Sequence, residues 1–238
     1  MEKHDVIVVG AGPTGLVASK TLAENGLDVL LIDRKSDLTT INRTCGACLV
    51  TDPGCNDETV TVENDKIIFH KNDFSVKYSG EWQKLRGFHL VSPGGFRVRL
   101  ERQETYASMA FDKQVLLADL LSAAEGAWVN VLKNTQAFGA VSKDDQAVVT
   151  VRQNGQEREI SGRYLIAADG TNSRIVRSLG MNKDRKLYAA TNGCSYIMEG
   201  VQPPESDVIY AFMGKGHADD ENIGQFFFQP SAFAFIRR

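Results

Sequence analysis

Val6-Ile7-Val8-Val9-Gly10-Ala11-Gly12-Pro13-Thr14-Gly15, followed by a small-residue segment and then Val29-Leu30-Leu31-Ile32-Asp33, is the stretch that decides the fold. The two apolar runs read as buried strands, and the segment between them reads as a helix, so the whole is a βαβ unit. The glycines have distinct steric uses. Gly10 lets the chain turn at the strand end, Gly12 lets backbone approach a pyrophosphate, and Gly15 lets the helix pack closely on the sheet. A helix beginning at Pro13-Thr14 aims its unpaired N–H groups and positive dipole end at the phosphates, so no cationic side chain is required. Gly15, Ala18 and Leu22 are expected on its inner face, and Gly26 stops it. Asp33 ends the second strand, where a carboxylate accepts hydrogen bonds from an adenosine ribose and repels a 2′-phosphate; FAD or NAD therefore fits better than NADP. The adjacent Arg34 joins the same cofactor-binding set. The alternative is a plain βαβ unit whose glycines serve only packing.

Composition narrows the function classes. The 238 residues include 42% hydrophobic and 24% charged side chains, with a formal charge of −3, which is ordinary for a chain that buries a core. Lys and Arg are scattered among acids, so nucleic acid is not an expected partner. No apolar stretch approaches the roughly 20 residues of a membrane span, and the expectation is a cytoplasmic protein that touches membranes peripherally at most. Cys45, Cys48, Cys55 and Cys194 are too few for a disulfide scaffold, and His4, His70, His89 and His217 are dispersed without metal-ligand spacing, so no metal is expected.

Beyond Asp33 the pattern changes twice. Residues 34–56 read as a polar loop, and alternating runs at Lys66–Phe69, Phe74–Tyr78 and Phe96–Leu100 read as antiparallel strands. Asp112 can cap a helix carrying Val115, Leu116, Ala118, Leu120 and Ala123 to Gly126. Strands follow at Val129–Val131, Ala147–Val151, Arg158–Ile160 and Tyr164–Ala168. A short helix from Asn172 buries Ile175, Val176 and Leu179 before Gly180. Ser195–Met198, Val208–Phe212, Gln225–Phe228 and Phe233–Ile236 return to β pattern and are expected in the same antiparallel sheet as the middle segment. The fold class is α/β: a Rossmann-type domain interleaved with an antiparallel β-rich one.

At Tyr164-Leu165-Ile166-Ala167-Ala168-Asp169-Gly170-Thr171-Asn172-Ser173, followed by Arg177, Leu179 and Gly180, the chain resembles FAD-dependent oxidoreductases of the aromatic-hydroxylase (PHBH) fold. The interval from Ser173 to Arg177-Ser178-Leu179-Gly180, and Arg43-Thr44-Cys45-Gly46 after the first βαβ unit, are most similar to its geranylgeranyl-reductase branch. The resemblance implies that Asp169 and Gly170 meet the ribityl and pyrophosphate part of FAD, and that Arg43 and Cys45 lie near the flavin's reactive face. It also implies an FAD-binding domain over 1–62 and 101–184 and a β-rich substrate domain over 63–100 and 185–238. The chain departs from the family at Ser108, where an arginine is common before Phe-Asp. It also lacks a Tyr-x-Trp-x-Phe-Pro signature at Ile209–Met213, and it reaches Arg238 without the third flavin motif.

Physical readings of the remaining candidates stay open. Cys45-Gly46-Ala47-Cys48 is compatible with a redox dithiol, with a substrate-facing Cys45, or with structural thiols. Arg43 suits an anionic group or the flavin edge, or is an exposed loop residue. Phe226-Phe227-Phe228, Phe233 and Phe235 suit an apolar pocket or plain sheet core. The expected activity is reduction of a C=C bond in an apolar, isoprenoid-like substrate, with NAD(P)H or reduced ferredoxin as electron donor. A flavin monooxygenase and a truncated, non-catalytic nucleotide-binding domain are the alternatives.

Overall fold

In the computed structural model, which describes residues 2–42, 45–102, 106–186, 188, 202–213 and 225–228, the opening run forms β1 (Glu2–Val9). It leads through α1 (Pro13–Glu24) into β2 (Val29–Ile32). The chain continues through β3 (Cys48–Val50), α2 (Pro53–Asn56), β4 (Val60–Glu63), β5 (Lys66–Phe69), β6 (Phe74–Lys77), β7 (Trp82–Leu85), β8 (Gly87–Val91) and β9 (Arg97–Glu101). There follow β10 (Ser108–Phe111), α3 (Lys113–Gly126), β11 (Asn130–Leu132), β12 (Thr135–Lys143), β13 (Gln146–Gln153), β14 (Gln156–Ala167), α4 (Arg174–Ser178), β15 (Val208–Met213) and β16 (Gln225–Phe228). These elements fall into two compact units, Met1–Thr40 with Gln114–Thr191 and Ile41–Lys113 with Asn192–Arg238.

The first unit is built on a six-stranded sheet of order β11-β2-β1-β14-β13-β12. Pairing is parallel from β11 to β14 and antiparallel from there outward. All four residues of β2 are buried, as expected of a parallel strand covered on both faces. Ile7, Val9, Leu30, Ile32, Val149, Val151, Ile160 and Ile175 pack into one core. The inner face of α1 is Gly15, Leu16 and Ser19 rather than Gly15, Ala18 and Leu22, because the tight seat of Gly15 against the Gly10 carbonyl sets the helix rotation. Its end follows the expected glycine: Gly26 has φ +82°, and its N–H donates to Ala23 O at 2.9 Å. α3 buries Leu116, Leu117, Leu120, Leu121 and Ala124, whereas Ala118 faces solvent.

The runs expected as two strands at 158–160 and 164–168 are one 12-residue strand, β14. Ser161-Gly162-Arg163 continues it because β13 pairs as far as Gly162 while β1 pairs from Ile160 onward, so one strand serves two partners. The hairpins between β12, β13 and β14 turn on Asp144-Asp145 and Asn154-Gly155, all with positive φ, the two-residue geometry that matches strand twist.

Among its described residues the second unit holds three sheets, β3-β10-β7, β16-β15-β8-β9 and β4-β5-β6, rather than the single antiparallel sheet that the pattern predicts. β15 runs parallel to β8, from Val208↔Gly87 to Phe212↔Val91. No hairpin links these strands, so sequence proximity does not impose antiparallel pairing. The strands expected at Ser195–Met198 and Phe233–Ile236, with Cys194, His217 and Phe235, lie outside the described residues, as do the side chains of Cys55 and Phe226–Phe228. Among the described residues no helix is long and apolar enough to cross a membrane.

Candidate functional site

The pairings Val9↔Ile32 and Val9↔Ala167 align three strand ends in one row at the carboxyl edge of the parallel sheet. Gly10, Asp33 and Ala168-Asp169 are the next residues along each strand. Backbone bonds fix the row: Gly10 N–H donates to Ile32 O at 2.8 Å, Ala168 N–H to Val9 O at 2.8 Å, and Asp33 N–H to Leu132 O at 3.1 Å.

The three glycines of the fingerprint differ in what surrounds them. Gly10 has φ +106°, and a Cβ there would lie 2.3 Å from Ala168 O. A Cβ on Gly15 would lie 1.8 Å from Gly10 O. Both positions are therefore closed by the protein itself. Gly12 has φ −80°, and a Cβ there would meet nothing within 4 Å, so its side of the turn is open to a ligand.

Gly12 is also the N-cap of α1, with Pro13 in the first turn, no side-chain cap and no acidic residue in that turn. Pro13 and Thr14 are exposed. The N–H groups of Thr14 and Gly15 precede the first intrahelical bond, Leu16 N–H to Gly12 O at 3.0 Å, and a helix start of this kind attracts anions.

Asp33 accepts one backbone N–H on each oxygen, from Ala11 at 2.7 Å and from Lys35 at 2.8 Å. A carboxylate has further acceptor capacity on both oxygens, so Asp33 is held in place and still able to take ribose hydroxyls. Arg34 beside it is exposed.

Asp169 divides its oxygens. Oδ2 accepts from Arg174 N–H at 2.8 Å and Ile175 N–H at 3.5 Å, joining Ser173 Oγ, which accepts from Val176 N–H at 3.0 Å, in capping α4. Oδ1 is buried without a hydrogen-bond partner. A buried orphan acceptor is costly, and a hydroxyl from a bound cofactor would satisfy it. The following Gly170 has φ +86°, which suits close backbone approach. An open Gly12, an uncapped helix start, a held Asp33 and an orphan Asp169 oxygen together fit a dinucleotide cofactor.

Cys45 and Cys48 are both free thiols and half-buried. Burial pushes the Cys48 thiol up; the Ser108 hydroxyl pulls it down and the Cys45 sulfur adds to the rise. That direction is opposite to the lowered thiol that fast disulfide exchange needs. Arg43 lies outside the described residues. Sequence reading missed a charged cluster in the second unit, where Arg86, His89, Glu101, Glu205 and Asp207 meet. Only the buried even-odd position of His89 in Gly87–Val91 could have hinted at it.

The family model described as FAD binding domain matches residues 3–211. Digeranylgeranylglycerophospholipid reductase 1 of Methanothermobacter thermautotrophicus is 29% identical over 215 residues, which are 88% of this chain and 50% of that protein. A solved geranylgeranyl bacteriochlorophyll reductase-like protein from Thermoplasma acidophilum superimposes with TM-score 0.64 at 21% identity, over 90% of this chain and 51% of that one. The p-nitrophenol 4-monooxygenase of Pseudomonas putida gives TM-score 0.53 at 16% identity, over 76% and 44%. These two structures share the fold. The chain spans about half the length of the curated relatives it matches.

Proposed function

We propose that the chain, which belongs to the FAD binding domain family and takes FAD as its cofactor, is an oxidoreductase that reduces a C=C bond in an apolar, isoprenoid-like substrate. The observation that carries the reading is the strand-end row, with Gly12 open and one Asp169 oxygen orphaned. The substrate class is supported by likeness to relatives such as digeranylgeranylglycerophospholipid reductase 1 of Methanothermobacter thermautotrophicus.

Gly10 and Gly15 shape the turn, while Gly12, Pro13 and Thr14 present backbone to the pyrophosphate. Asp33 would take the adenosine ribose, and Arg34, beside it, would belong to the same cofactor-binding set. Asp169 Oδ1 and Gly170 take the ribityl and pyrophosphate region. FAD would supply the hydride chemistry when bound, with NAD(P)H or reduced ferredoxin as the proposed electron donor. Cys45 and Arg43 are our candidates for the catalytic roles.

The test is anaerobic: FAD-loaded protein, reduced chemically, is mixed with a geranylgeranyl-chain lipid and the product is weighed by mass spectrometry. Gain of two hydrogens per double bond is the expected result. Unchanged lipid with flavin retained sinks the reductase reading. The likeness to the Pseudomonas putida monooxygenase fold favours a second reading, hydroxylation of an activated ring. Oxygen from labelled dioxygen in the product would select it.

A further inference from the structure

The hairpin of β8 and β9 carries apolar side chains that the second unit leaves open. Phe96, Val98 and Leu100 are exposed by 82%, 57% and 55%, although such residues are ordinarily buried. They alternate along the chain, and the Ser92 N–H to Phe96 O bond at 2.9 Å carries the ladder up to the turn, so all three stand on one face. The register sets Leu90 opposite Val98 and Phe88 opposite Leu100, with Ala211 and Ile209 beyond them on β15. This face is therefore one apolar band, and its cover thins outward. Ile209 and Ala211 are buried, Phe88 and Leu90 are half-buried, and β9 is open. Charge on the hairpin has one sign: residues 90–100 include Arg97 and Arg99 and no acid, in a chain whose formal charge is −3. Both arginines are exposed on the other face of the strand. Arg97 lies over the Tyr210 ring at 6.0 Å, and Arg99 approaches Glu205 only to 3.9 Å.

We infer that the β8–β9 hairpin docks the protein on the surface of an anionic lipid bilayer, with Phe96, Val98 and Leu100 against the acyl-chain boundary and Arg97 and Arg99 at headgroup phosphates. The inference rests on the proposed function, because an isoprenoid lipid substrate resides in a bilayer. An apolar face beside cations is the combination that binds such surfaces, since buried apolar area and attraction to anionic lipid add. The long arginine stems let the guanidinium groups reach back to headgroup level while the apolar face sits deeper. Docking is shallow. Among the described residues β9 is the outer strand of its sheet, and its unpaired backbone groups keep it out of hydrocarbon, at an interfacial depth of about 5–10 Å. The same outer strand is poorly suited to a second copy of this chain: antiparallel pairing of β9 with itself about Val98 sets arginine opposite arginine, and like charges in that position are destabilising.

The experiment is flotation of the purified chain with phosphatidylcholine vesicles, with and without phosphatidylglycerol. Two variants are compared, Phe96→Ser with Val98→Thr and Arg97→Gln with Arg99→Gln. All four side chains are exposed, and circular dichroism establishes that both variants are folded before flotation. Wild-type protein is expected to float with the anionic vesicles, and less so at high salt. The arginine pair should weaken that binding about 30-fold, and the apolar pair about tenfold or more. No flotation, equal flotation with both vesicle types, or flotation indifferent to either pair of substitutions overturns the docking surface. A wild-type dimer that the apolar pair makes monomeric, without flotation, gives the face to a second copy and overturns it as well. Reduction of a geranylgeranyl-chain lipid dispersed in detergent, followed in the FAD-loaded chain, separates this inference from the reductase reading. Reduction without flotation overturns only the docking, and flotation without reduction overturns only the reductase.

Discussion

Asp33 and Asp169 in the first unit, and Glu101 and Glu205 in the second, are all carboxylates close to strand ends, yet they are held by different means. Asp33 and Asp169 are gripped by backbone N–H groups, from Ala11 and Lys35 in one case and from Arg174 and Ile175 in the other. Those donors are positioned by a turn and a short helix that belong to the same stretch of chain or its parallel neighbour. Glu101 and Glu205 are gripped by side chains, chiefly Arg86, which is 15 residues from one and 119 from the other. Backbone donors cannot leave without unfolding the turn, whereas a guanidinium can be deleted by one substitution. The first unit therefore presents charge on a rigid rim, and the second stores it in a network that each member helps to hold.

The sharpest way to break the rim is Gly15→Val. Its Cβ would begin 1.8 Å from the Gly10 carbonyl, so helix and turn must separate. We expect a loss of about 3 kcal/mol or more, seen as a large fall in thermal midpoint, with FAD retention abolished. A midpoint equal to wild type would show that the turn is looser than the contact implies.

Asp169→Asn sharpens the same comparison with a smaller effect. The amide oxygen can keep capping α4, while the orphan acceptor becomes a donor. FAD affinity should fall about tenfold, with little change in unfolding midpoint. Equal losses of stability and affinity would assign Asp169 to capping alone.

In the second unit, acid should act through two further carboxylates. Asp52 is held below the usual carboxylate range by the Arg102 guanidinium and by the Gly54 N–H. Burial opposes ionisation of Glu58, but the N–H groups of Lys71, Asn72 and Thr59 and the Asn72 amide outweigh it and lower its pKa. Both folded values lie below the unfolded ones, so the stability they contribute is present above the ordinary carboxylate range. It is lost as pH falls below about 4. Hydrogen exchange at pH 7 and at pH 3 should show amides of β4 and β5 losing protection before those of β1 and β2; the reverse order would contradict the assignment.

The same contrast explains what the sequence could show. Gly10, Gly12, Gly15 and Asp33 were legible because strand, turn, helix and strand follow one another, and Asp169-Gly170 because a second strand end repeats the signal. Asn154-Gly155 is an equally local turn between the runs Ala147–Val151 and Arg158–Ile160, whereas β12, before Asp144-Asp145, is not among the expected strands. The parallel seating of β15 on β8 was not legible, since the partners are far apart in the chain and no turn type encodes the pairing. His89 was hidden for the same reason: its neighbours Glu101 and Glu205 come from another strand and a distant loop. Cys45-Gly46-Ala47-Cys48 is the opposite case, a conspicuous motif whose meaning depends on surroundings the sequence does not show, such as the burial that pushes the Cys48 thiol up.

The most direct measurement is a flavin-absorbance titration of the wild-type chain and of Gly12→Asp with FAD, alongside their thermal unfolding. Because nothing lies within 4 Å of a Cβ at Gly12, the variant should unfold at the wild-type midpoint. A carboxylate set against the pyrophosphate should nonetheless weaken FAD by about a hundredfold or more. Wild-type protein that binds one FAD, beside a folded variant that does not, is the expected result; a Gly12→Asp chain that holds FAD as tightly as wild type would contradict the placement of the cofactor at this rim.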